Sequence, residues 1–119
     1  QETCEQAGSE FYLVYVPPAA AVIPHGQLDY FPWNIDLGDS TRYDITQPNR
    51  ITARICRELD MDLIDVTTGL QNYEEQPTVF THAWHMSDKG HKAIALELFE
   101  RLRVDGMLKE GMEVMQVSN

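Results

Sequence analysis

The chain predicts an α/β protein in which a parallel sheet is flanked by helices. Two short runs rich in β-branched and aromatic residues, Glu10–Val16 and Met61–Val66, read as buried strands. A helical periodicity lies between them, and a second one follows. Strands that alternate with helices in this order imply parallel pairing through right-handed crossovers.

The first strand is stopped by Pro17 and Pro18, which cannot donate to a ladder. Residues 17–46 then form a long connection containing Pro24, Pro32, Gly26 and Gly38. Its aromatics, Tyr30, Phe31, Trp33 and Tyr43, predict that part of it packs, and large aromatics fill a core flank more often than they line a ligand wall. Pro48 suits a first helical turn. Beyond it Ile51, Ile55 and Leu59 recur at helical spacing as the inward face, with Arg50, Arg54 and Arg57 turned outward.

Alternation in the second strand places Met61, Leu63 and Asp65 on one side and Asp62, Ile64 and Val66 on the other. Thr67-Thr68-Gly69 turns the chain into a short helix or loop that reaches Pro77. The final helix is expected over Asp88–Val104. Ser87 is its N-cap and Asp88 complements its positive end. Ile94, Ala95, Leu98 and Leu102 form its apolar face, and Asp105-Gly106 is its stop. Met107, Leu108, Met112, Val114 and Met115 keep residues 107–119 apolar enough for a short extra element or a covering tail. The whole chain, 1–119, reads as one domain or part of one.

A hydrophobic share of 43% and a charged share of 24% are those of an ordinary globular domain. Nineteen acids against nine lysines and arginines give a net charge of −10, a field that repels nucleic acid and anionic membrane surfaces. No apolar run reaches the length of a membrane span. Cys4 and Cys56 are too few for a disulfide framework, and Cys56 falls among the core positions of its helix. The opening Gln1-Glu2-Thr3-Cys4-Glu5 lacks both a methionine and signal-peptide character, as expected of a piece of a longer polypeptide. Compartment stays open.

Chemistry concentrates just before the last helix, in Thr81-His82-Ala83-Trp84-His85-Met86-Ser87-Asp88-Lys89-Gly90-His91. A capped helix clamped on a core would fix His85 on the loop at its mouth. Sites in parallel sheets open at the carboxyl ends of the strands, where the loop after Val66 and the loop with His85 both belong. A neutral imidazole held there can take a proton from a serine hydroxyl. The plainer role for His85 is a half-buried histidine bonded to backbone. His82, His85 and His91 with Asp88 do not keep a zinc-site spacing, and Lys89 beside them opposes a cation. His25 stands alone in the proline-rich loop.

Trp84-His85-Met86-Ser87-Asp88-Lys89-Gly90-His91-Lys92-Ala93-Ile94-Ala95 resembles the last conserved block of SGNH (GDSL-type) hydrolases, in which the catalytic histidine precedes a helix. Phe11-Tyr12-Leu13-Val14-Tyr15-Val16-Pro17-Pro18 is similar to a late core strand of that family, and residues 54–66 to the helix and strand that follow. The resemblance covers about residues 10–104 and the C-terminal half of the family's pattern. The family's opening nucleophile block, its oxyanion-hole glycine and its Gly-x-Asn-Asp block have no counterpart. The acid position, three residues before the histidine, holds His82.

The resemblance implies a flavodoxin-like SGNH fold or its C-terminal half. It implies a serine esterase acting on an acyl or acetyl ester of a lipid or carbohydrate, with His85 as base and no cofactor. Gly38-Asp39-Ser40 copies the nucleophile tripeptide, so Ser40 is a candidate nucleophile, with loop punctuation as its plainer role. His82 is a candidate partner for His85, and two adjacent imidazoles resist double protonation. Asp65 is a further carboxylate at a strand end, with capping of the next turn as the alternative. Two other classes stay open: a non-catalytic SGNH-like remnant that binds a ligand or protein, and a metal-dependent hydrolase built on the histidines. A half-domain leaves an unpaired sheet edge, which predicts self-association or an N-terminal partner segment.

Overall fold

The protein is described by a computed structural model over residues 2–24, 28, 35–73, 79–81 and 85–108. The chain runs through α1 (Glu2–Gln6), β1 (Tyr12–Tyr15), a 3-10 turn (Ala19–Ala21), α2 (Gln47–Glu58), β2 (Asp62–Asp65), α3 (Thr67–Gln71) and α4 (Asp88–Val104). Among the described residues no helix is long and apolar enough to cross a membrane.

β1 and β2 pair in parallel, with Tyr12 opposite Asp62, Leu13 opposite Leu63, Val14 opposite Ile64 and Tyr15 opposite Asp65. Side chains alternate across a strand, so Ile64 and Asp62 share one face and Leu63 and Asp65 the other. On the first face Ile64, Val66, Leu70, Val79 and Ala93 form the main core with Val22, and Ile94 and Leu98 of α4 close over it. On the second face α2 lies against β2, and its Asn49 Nδ2 donates to Asp65 at 2.9 Å. The result is a small parallel sheet between helices.

Helix ends follow local chemistry. The Ser87 hydroxyl accepts from the Gly90 N–H at 3.1 Å and starts α4. At its other end Gly106 takes φ +72°. Its N–H donates to Arg103 and that of Met107 to Leu102, closing the last carbonyls. α2 ends in the same way, with Met61 N–H donating to the Cys56 carbonyl at 2.8 Å, but its left-handed residue is Asp60 at φ 52°. A β-branched side chain is strained there. Asp60→Val is expected to lower the unfolding free energy by about 1–2 kcal/mol more than Asp60→Gly does. Urea unfolding midpoints of the two variants check this.

Two packing features differ from the sequence-based expectation. Ile51 and Ile55 of α2 and its C-cap Leu59 are exposed at 40%, 43% and 57%. The helix instead buries Cys56, with Asn49, Thr52 and Ala53 half-buried beside it. A two-stranded sheet is roughly one helix diameter wide, so it covers only one strip of the helix resting on it. That strip carries the small residues. On α4, Ala93 is buried and Ala95 is exposed, so the inward stripe is centred slightly earlier than its apolar pattern indicated.

The long connection does pack, in part through small and aliphatic residues. Ala19, Ala20, Ile23 and Leu28 form a second buried cluster with Leu37 and Phe80 against it. Gln71 Nε2 pins this segment by donating to the Ala21 carbonyl at 2.7 Å. Tyr43 is exposed, and Tyr30, Phe31 and Trp33 lie outside the described residues.

Candidate functional site

The direction of α4 decides where its entry loop falls. Its last turn meets the beginning of the strands: Arg101 reaches Asp62 at 4.0 Å and Asp105 at 2.7 Å. The Tyr12 phenol is pushed up first by burial and then by the carboxylates of Asp105, Asp62 and Glu10. Upstream on the helix, Glu97 lies against Gly69 of α3, which follows the carboxyl end of β2. The N-terminus of α4, and the loop before it, therefore project at the carboxyl end of the sheet.

That loop is held by backbone. Phe80 and Met86 form an antiparallel bridge, and the Ser87 N–H donates to the Val79 carbonyl at 2.9 Å. The His85 carbonyl accepts twice from Thr81, from its N–H at 2.8 Å and its hydroxyl at 3.2 Å. Val79 is fully buried beneath this turn, so the turn is anchored in the core. His85 itself is exposed. Its backbone is fixed by the bonds to its carbonyl. His82, with Trp84, lies outside the described residues, as does His25.

Ser40 is exposed and sits in a series of turns. The Asp39 carboxylate accepts from the Thr41 N–H at 3.0 Å and its hydroxyl at 2.6 Å, and Arg42 approaches it at 3.5 Å. Asp36 accepts from the Gly38 N–H in the same fashion. The tripeptide Gly38-Asp39-Ser40 thus serves turn geometry here. Among the described residues no hydrogen bond joins Ser40 to His85. The loop carrying Ser40 does lead into α2, whose first turn lies at the carboxyl end of β2 through the Asn49–Asp65 bond.

Asp65 acts as a cap. One of its oxygens accepts from the N–H and hydroxyl of Thr67, and the other from Asn49, which also donates to the Thr67 hydroxyl at 2.7 Å. Opposite it, the Tyr15 phenol is pushed up by burial and by Asp65, and its buried oxygen has no hydrogen-bond partner among the described residues. Among the described residues no three histidine, cysteine or acidic side chains converge as a metal site. Cys4 and Cys56 are both free.

One turn recurs along the chain. Asp39-Ser40-Thr41, Asp44-Ile45-Thr46 and Asp65-Val66-Thr67 make the same turn, in which one aspartate oxygen takes both the N–H and the hydroxyl of the threonine two residues on. The Asp-x-Thr spacing is visible in the sequence and would have found all three. In the second, Asp44 also pairs with Arg50, and this bond, followed by that from Thr46, holds the Asp44 carboxyl down at about 2. A carboxyl depressed below its ordinary 3.8 adds stability that is full above that value and is lost as pH falls through about 2. NMR titration is expected to show the low midpoint, and Arg50→Ala is expected to return it towards 3.8.

Compared with known proteins, the chain matches no family model, no curated protein and no solved structure.

Proposed function

We propose that this chain is the catalytic-histidine half of an SGNH-type ester hydrolase, acting on an acyl or acetyl ester of a lipid or carbohydrate. One observation supports the reading above the rest. An exposed histidine with a doubly bonded backbone carbonyl stands at the mouth of a capped helix, at the carboxyl end of a parallel sheet. The residues around it are those that resemble the family's last block.

In this reading His85 takes the proton of a serine hydroxyl as that oxygen attacks the ester carbonyl. The proton passes to the departing alcohol, leaving an acyl-serine. Water, deprotonated by the same imidazole, then attacks the acyl-serine carbonyl. The carboxylic acid leaves and the proton returns to the serine. The hydroxyl comes from Ser40 or from a serine of an N-terminal segment, and His82 stands in the place of the orienting acid.

A second reading, a non-catalytic SGNH-like binding module, is favoured by the use of Asp39 as a turn cap around Ser40. The two separate by labelling the protein with a fluorophosphonate and following hydrolysis of a short-chain aryl ester. Label found on Ser40, with turnover lost in Ser40→Ala and in His85→Ala, supports an enzyme acting through its own serine. A folded chain that neither labels nor turns over removes Ser40 as the nucleophile, and supports the binding module where an added N-terminal segment restores no turnover either.

A further inference from the structure

α2 leaves one face without a partner among the described residues. Arg50, Arg54 and Arg57 form one stripe, and Ile51, Ile55 and Leu59 run beside it at 40–57% exposure. An open groove is lined by Gln47, Arg50, Ile51, Arg54 and Arg57, three guanidinium groups and no carboxylate. Arg54 pairs loosely with Glu58 at 3.7 Å, and Arg50 pairs with Asp44, across the turn that leads into the helix. In a chain of net charge −10, a third of the lysines and arginines stand on this one surface. Solvation alone gives no reason for three large aliphatic side chains to line up beside them.

We propose that this face is a docking site for an amphipathic helix of another polypeptide, one whose apolar stripe is bordered by aspartate or glutamate. Helix-in-groove recognition uses anchors at i, i+4 and i+7 or i+8, and both stripes of α2 keep that spacing. Carboxylates on the incoming helix pair with Arg50, Arg54 and Arg57, while its apolar residues cover Ile51, Ile55 and Leu59. A second copy of the chain is disfavoured on this surface, because a twofold contact sets arginine stripes against each other. An extended polyanion or anionic vesicle approaches the acidic surface around α2 as well as its arginines, whereas a short acidic helix covers the arginine patch alone. The contact is small, so the complex is transient. The inference does not depend on His85 or on ester hydrolysis.

The test titrates the isotope-labelled chain with two synthetic helical peptides of identical leucine spacing, one flanked by glutamate and the other by lysine. Vesicles of phosphatidylcholine and phosphatidylserine form a third arm, and sedimentation of the chain alone a fourth. The expected result is saturable amide shifts confined to Gln47–Leu59 with the glutamate peptide, at a Kd on the order of 10–100 µM. Binding weakens with added salt. It falls at least about tenfold in the double variant Arg54→Glu, Arg57→Glu and in Ile55→Ser. These positions are exposed, and circular dichroism checks that each variant keeps its helices. The proposal is overturned by absence of saturable shifts, by equal binding of the lysine peptide, by α2 shifts with vesicles but not peptide, or by self-association through α2.

Discussion

His85→Ala is expected to cut ester turnover by about 10²–10⁴-fold, the usual contribution of a positioned general base. The size of the loss is informative because the substitution leaves the scaffold intact. The imidazole is exposed, and the two bonds that hold the turn end on the His85 carbonyl, which alanine keeps. Thermal unfolding of the variant should therefore match the parent. His91 supplies the contrast. It lies on α4, its N–H donates to the Ser87 carbonyl, and its side chain is exposed on the helix. His91→Ala is expected to leave turnover unchanged. Equal activity of His85→Ala and the parent would remove the histidine from the proposed mechanism, and a matching loss in His91→Ala would point to a non-specific effect.

Gly90→Ala is expected to lower the unfolding free energy by about 1–3 kcal/mol, although alanine is intrinsically the better helix former. Gly90 is buried in the first turn of α4, and a Cβ placed there overlaps the Val79 carbonyl oxygen and the Met86 side chain. Met86 can rotate away. The Val79 carbonyl cannot, because it belongs to the backbone and accepts from the Ser87 N–H. Either the helix start or the 79–87 turn must move, which breaks that bond and displaces His85.

Gly69 in α3 provides the control. A Cβ there meets the side chain of Glu97, which is exposed and free to swing aside. Gly69→Ala is expected to be neutral or to stabilise by up to about 1 kcal/mol. Denaturant unfolding of the two variants separates them, and equal stabilities would refute the backbone-overlap argument. In the Gly90 variant, ester turnover should fall together with stability.

The contrast between these glycines shows why parts of the fold were legible and others were not. Ser87 as N-cap, Asp88–Val104 as the helix and Gly106 as its stop are encoded within a few residues, because capping bonds span three to five positions. The two strands and their parallel order follow from β-branched runs separated by a helix, and Cys56 is the small core residue its helix position indicated. The apolar spacing of Ile51, Ile55 and Leu59 is equally clear in sequence, yet those side chains are exposed. Periodicity identifies an apolar stripe without saying what surface exists to receive it. The run Ala19-Ala20-Ala21-Val22-Ile23, flanked by prolines, carries no amphipathic period yet is buried throughout.

Sequence alone determined the local bonds: where helices begin and end, which segments extend, and that a histidine stands just ahead of a capped helix. Only the tertiary structure decided which strip of α2 is buried and that Ala19–Ile23 of the long connection joins the core. The division has a physical cause. Hydrogen bonds between near neighbours are set by the chain itself, whereas burial depends on the width and shape of a surface assembled from residues far apart in it.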